Sequence, residues 1–113
     1  MANDSAALSP AAFQVLLSLA DEDRHGYGIM QEVARQTNDQ YRLGPGTLYD
    51  NLQKLLDQGM VEEVDRRDKD DPRRRYYRLT ELGDAVVGAE IQRLESVFRK
   101  AKAHLQSIKT RRA

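Results

Sequence analysis

The sequence predicts a mainly α-helical chain that carries one small β-hairpin and ends in a long helix. Three stretches predict it. Between Leu43 and Gly59, Leu48, Leu52, Leu55 and Leu56 recur at spacings of four, three and one, the apolar stripe of a helix of about four turns. Between Arg75 and Leu79, Arg75, Tyr77 and Leu79 alternate with Tyr76 and Arg78, the period of a strand. From Val87 to Ile108, apolar residues recur at alternating spacings of four and three, a heptad pattern.

Residues 1–8 are small and polar and read as a flexible lead-in. Ser9-Pro10 starts the first helix, with Ser9 as N-cap and Pro10 in the first turn. Phe13, Val15, Leu16, Leu17, Leu19 and Ala20 are apolar on more than one side, so this helix has one face for its own domain and a second for a partner chain. Asp21–Arg24 is a polar break, and His25-Gly26-Tyr27-Gly28 opens a second helix whose apolar residues run through Ile29, Met30, Val33, Ala34 and Thr37. Asn38-Asp39 ends it. His25 has no second histidine or cluster of carboxylates beside it, so it reads as a hydrogen-bonded loop histidine rather than a ligand or catalyst. Tyr41–Leu43 is compatible with a very short strand leading into the third helix.

Pro45 suits the first position of that third helix, and Gly59 the left-handed residue that ends it. Its polar face carries Gly46, Asp50, Gln53 and Asp57, flanked by Thr47 and Lys54 on one side and Tyr49 on the other. Met60–Arg66 reads as a strand that pairs with Arg75–Leu79. The connecting loop is charged throughout, and the span from Asp65 to Arg78 holds seven basic and four acidic residues. Arg73, Arg74 and Arg75 stand together at its end, beside Tyr76, and this concentration suits phosphate contact. Thr80 caps the last helix, with Glu81 and Asp84 near its positive end. Its seam of Val87, Ile91, Leu94, Phe98, Ala101, Leu105 and Ile108 is longer than a small domain needs for its own core, which predicts a dimer interface.

A chain of 113 residues supports one domain, or a small domain with an appended helix. Its core is modest, so association would add stability. Without cysteine, disulfides and cysteine-based zinc sites are excluded. The sequence shows neither a membrane-span pattern nor a signal-peptide pattern, and a cytoplasmic protein is expected. The net charge of zero hides an asymmetry: residues 1–58 hold four Lys/Arg against eight Asp/Glu, whereas residues 59–113 hold fourteen against ten. Basic charge gathers at Arg66–Arg78 and Arg99–Arg112, a clustering that suits local phosphate contact more than general adhesion to nucleic acid.

Three helices, a hairpin and a further helix, in that order, make a winged helix-turn-helix with a helical dimerisation arm. The expected organisation is a DNA-binding domain over residues 9–80 and a C-terminal dimerisation helix with a basic tail over 81–113. Three ordered motifs then resemble the PadR family of bacterial transcriptional regulators. They are His25-Gly26-Tyr27-Gly28, Gly46-Thr47-Leu48-Tyr49 with Leu52, Leu55 and Gly59, and Arg75-Tyr76-Tyr77-Arg78-Leu79-Thr80 with Gly83. The likeness runs from Leu8 to Leu105 and is similar to the compact branch with a single C-terminal helix. It implies a homodimeric repressor of double-stranded DNA, reading a near-palindromic operator with its third helix and touching the backbone with its wing. It also implies a small-molecule effector at or near the dimer interface.

Carried onto this chain, the groove-facing residues are Pro45, Thr47, Tyr49, Gln53 and Lys54, with Arg73, Arg74 and Arg75 on the wing. Leu48, Leu52, Leu55, Tyr77 and Leu79 belong to the core. The chain departs from the family pattern at Gly44, where a serine is common, and at Asp50, a carboxylate on the presumed reading face. It also lacks tryptophan, leaving Phe98 as the aromatic of the dimer seam. No enzyme motif is present: there is no Gly-x-Ser-x-Gly, no phosphate-cradling glycine loop and no helical histidine pair, and no cofactor or metal is expected. The rival expectation is a winged-helix protein-interaction module. Such a module calls for exposed apolar residues where this chain places Gln53, Lys54 and arginines.

Overall fold

The computed structural model describes residues 8–65, 71 and 74–112. Among them are helices α1 (Pro10–Ser18), α2 (Gly26–Gln36), α3 (Pro45–Asp57) and α4 (Glu81–Arg112), and strands β1 (Arg24–His25), β2 (Val61–Val64) and β3 (Tyr76–Leu79). The strands form one antiparallel sheet in the order β1-β3-β2. This is the winged helix-turn-helix arrangement with a long terminal helix.

The helix ends follow local chemistry. Ser9 Oγ accepts the Ala12 N–H at 3.1 Å, and Pro10 occupies the first turn of α1. At the other end, Arg24 Nε donates to the Ser18 carbonyl at 2.7 Å, a cation placed on the negative end of α1. The same guanidinium lies 3.6 Å from Glu32, so Arg24 ties α1 to α2 across β1. Helix α2 stops where Asn38 and Asp39 take left-handed φ values of 52° and 63°, a conformation these two residue types accept. Helix α3 stops in a Schellman motif: Gly59 has φ 76°, Met60 N–H donates to Leu55 O at 2.9 Å, and Gly59 N–H donates to Leu56 O at 3.1 Å. Thr80 starts α4 by accepting the Gly83 N–H at 3.1 Å while its hydroxyl donates to Gly59 O at 2.6 Å. Gly83 is obligatory there, because a Cβ would collide with the Met60 carbonyl.

The core lies between the first three helices and the sheet. Val15, Leu16, Ile29, Val33, Leu48, Leu52, Leu55, Val61, Tyr77 and Val87 form it, with Leu79 packed at its edge. Three sequence expectations are corrected. Tyr41–Leu43 is not a strand, because Thr37 Oγ1 accepts the Tyr41 N–H at 3.1 Å and fixes the segment as a loop. The short strand is Arg24–His25 instead, paired as Arg24 with Tyr77 and His25 with Tyr76. That pairing makes β3 the central strand, so Tyr76 is buried like Tyr77 rather than alternating outward. The His25 ring meets Tyr76 edge-on at 5.2 Å. The third correction is Val87: it lies in the protomer's own core at 4% exposure and is not a seam residue. Beyond Glu90 no residue of α4 is buried, and the helix stretches the molecule to 62 Å.

Candidate nucleic-acid interface

Leucines 48, 52 and 55 anchor α3 by one face, and Pro45, Gly46, Thr47, Tyr49, Asp50, Gln53 and Lys54 are all exposed on the rest of it. The helix has no side-chain cap, since Gly44 offers none, so its first-turn N–H groups face outward with the positive end of the dipole. Gln53 Nε2 donates to Asp57 at 2.9 Å, a bond within one exposed face that a better acceptor can displace. Tyr49 does more than flank the helix. Its hydroxyl lies against the backbone of Gly26, where a Cβ would collide with it, so a glycine at the start of α2 lets α3 sit close.

The wing supplies the cations. Arg74 is exposed, with Nη1 3.4 Å from His25 Nε2. Arg75 Nη1 donates to Glu63 on the paired strand at 2.8 Å. Arg73 and the preceding charged loop, Arg66–Asp70, lie outside the described residues. His25 caps α2 through Nδ1, which accepts the Gly28 N–H at 3.1 Å. With Nδ1 the acceptor, the ring proton belongs on Nε2, so Arg74 is a neighbour of that nitrogen rather than a donor to it. His25 is hydrogen-bonded as expected, but as the last residue of β1 and the cap of α2 rather than in a loop, and among the described residues no cluster of His, Cys, Asp and Glu could hold a metal.

Two buried carboxylates are structural. Glu32 bonds to Arg35 at 2.8 Å and Glu90 to Arg93 at 3.0 Å, and those arginines hold each carboxyl below its ordinary pKa against the opposing effect of burial. Arg78, whose guanidinium reaches Asp23 at 3.1 Å, is spent on joining β3 to the α1–β1 turn. The seam residues Ile91, Leu94, Phe98, Leu105 and Ile108 are all large, apolar and exposed, Phe98 by 62%, and Ala101 lies exposed among them. No helix of the described residues is long and apolar enough to cross a membrane.

Residues that the sequence reading left outside the interface also face it. Tyr27, Tyr77 and His25 join Tyr49 and Arg74 around a cleft between the start of α2 and the wing. The His25-Gly26-Tyr27-Gly28 motif was its one visible signal.

The fold and this exposed face define a winged helix-turn-helix protein. The profile of the transcriptional regulator PadR-like family matches residues 15–89, and the chain belongs to that family. Its members are transcriptional regulators and not enzymes. The chain is 35% identical over 86 residues to the transcriptional regulator Rv3488 of Mycobacterium tuberculosis, covering 76% of this chain and 77% of that one. It resembles in fold a PadR family regulator from Clostridium difficile, with a TM-score of 0.69 at 21% identity, covering 86% of this chain and 99% of that one. A transcriptional regulator from Clostridium thermocellum is similar, with a TM-score of 0.69 at 23% identity over 81% of this chain and 89% of that one.

Proposed function

We propose that the chain is a cytoplasmic, homodimeric repressor that binds double-stranded DNA by sequence. In this reading residues 9–80 are the DNA-binding unit and residues 81–113 the dimerisation helix with its basic tail. Pro45, Thr47, Tyr49, Gln53 and Lys54 of α3 enter the major groove, and Arg73, Arg74 and Arg75 contact the flanking backbone. The observation that carries it is the two-sided character of α3: leucines seal one face, and groups able to bond base edges or phosphates occupy the other.

The seam from Ile91 to Ile108 supports the homodimer, because an isolated protomer leaves it in water. A dimer places two α3 helices about one DNA turn apart and so reads half-sites with centres roughly 10 base pairs apart. A small molecule seated between the protomers, where Phe98 is the available aromatic, would release the DNA by shifting that spacing. The polar, charged face of α3 and the wing weighs against a protein-docking module. Selection of genomic fragments by the purified chain tests the proposal. Recovery of a shared near-palindrome supports it, and recovery of unrelated fragments in proportion to their length contradicts it.

A further inference from the structure

The cleft between the start of α2 and the wing has a volume of about 430 Å³ and is lined on its inner side by Tyr77. Tyr77 is 6% exposed, yet its hydroxyl has no hydrogen-bond partner among the described residues. No side-chain nitrogen or oxygen of those residues is both sealed from solvent and unpaired, so this hydroxyl keeps access to solvent, and its side chain lines the cleft. A nearly buried polar group without a partner is costly unless something completes it. The Tyr49 hydroxyl stands close enough to influence it electrostatically.

What surrounds these two phenols is mainly donors. Helix α2 begins at Gly26, and its first N–H groups have no intrahelical acceptor. The capping nitrogen of His25 takes that of Gly28, which leaves those of Gly26 and Tyr27 at the positive end of the dipole. Arg74 and Arg75 stand at the rim. Burial, and then the nearby Glu63 carboxylate, push the Tyr77 phenol above its ordinary pKa, so it keeps its proton and acts as a donor at neutral pH. The matching ligand is an anion that only accepts.

We propose that this cleft seats one phosphodiester of the duplex backbone, with the Tyr77 and Tyr49 hydroxyls and the first turn of α2 donating to its oxygens. The inference rests on the DNA-binding reading above and adds a backbone seat beside the groove, in which the Tyr49 hydroxyl serves a phosphate rather than a base edge. A continuous polyanion fits better than a free anion because the cleft, between the start of α2 and the wing, is bordered by Tyr49 of α3 and by the wing arginines, from the two elements assigned to the duplex. Two carboxylates oppose any anion there. Asp71 lines the cleft, and Glu63 holds Arg75 at 2.8 Å, so Arg75 exchanges Glu63 for the phosphate on binding. That exchange makes the seat weak for an isolated ion and effective for a phosphate delivered by an already docked duplex.

The test is Tyr77→Phe in the full chain, measured by fluorescence anisotropy on selected and random duplexes at several salt concentrations, with a melting curve. The hydroxyl has no partner among the described residues, so the melting temperature should hold. Affinity should fall about tenfold on both DNAs, the loss of a hydrogen bond to a charged group. The salt dependence should not change, because no cation is removed. In parallel, backbone amide resonances of Gly26 and Tyr27 are followed during titration with duplex and, separately, with inorganic phosphate. Shifts with duplex support the seat. Wild-type binding with an unaffected Tyr77→Phe and unmoved amides overturns the seat alone. Shifts with inorganic phosphate but not with duplex make it a free-anion site and overturn the assignment. Failure of the wild-type chain to bind any duplex overturns the regulator reading and the seat with it.

Discussion

Replacing Phe98 with alanine should weaken the proposed dimer while leaving each protomer folded. Phe98 is 62% exposed, with the Lys102 ammonium of its own helix 5.2 Å from the ring centroid. Fully burying a phenylalanine contributes about 1.5–3 kcal/mol, so with most of the side chain still in water roughly 1–2 kcal/mol remains to be gained on association. A two-fold interface counts the residue twice, giving about 2–4 kcal/mol, or roughly a 30- to 700-fold weaker dimer. Sedimentation equilibrium over a dilution series reads this as a shift of the dimer–monomer midpoint, and circular dichroism checks that the helices persist. An unchanged midpoint would place the interface elsewhere, and a wild-type chain that stays monomeric at all concentrations would remove the reason for the seam.

Arg74→Ala should weaken binding to selected and random DNA alike and reduce the slope of log affinity against log salt by about one per protomer, read by anisotropy; a loss at one base position would instead make it a base reader. Glu32→Gln should lower the melting temperature at neutral pH, since the folded carboxyl is held below its ordinary value of 4.5, first by its bond to Arg35. The gap from wild type should be full above that value and close as the pH falls through the lower folded pKa; a gap independent of pH refutes the ion-pair account.

Much of the fold could be read from the sequence because its punctuation is local. Ser9-Pro10, Pro45 with Gly59, and Thr80 each set a helix end through groups within a few residues, and such signals do not depend on the rest of the chain. Strand β1 could not be read, because two residues carry no periodicity and Arg24–His25 becomes a strand only when β3 offers its edge. The same long-range pairing turned Tyr76 inward against the alternation expected for a two-stranded hairpin. Val87 continues the heptad of α4 seamlessly, and nothing local marks that the core of its own protomer claims it. The exposed face of α3 was visible as residues outside the leucine stripe. The cleft was not, since Gly26, Tyr49 and Tyr77 meet there from three distant parts of the chain.

The measurement that bears most directly on sequence-specific recognition by α3 is the affinity gap between the selected operator and random DNA, for wild type and Gln53→Ala. Gln53 is exposed and, among the described residues, bonded only within its own helix, to Asp57, so its loss should change the melting temperature little. A side chain reading a base edge contributes about 1–3 kcal/mol of discrimination. The account predicts that the gap narrows by roughly 5- to 150-fold in the variant while affinity for random DNA is unchanged. A gap that stays the same, or two affinities that fall together, would contradict base reading by this face.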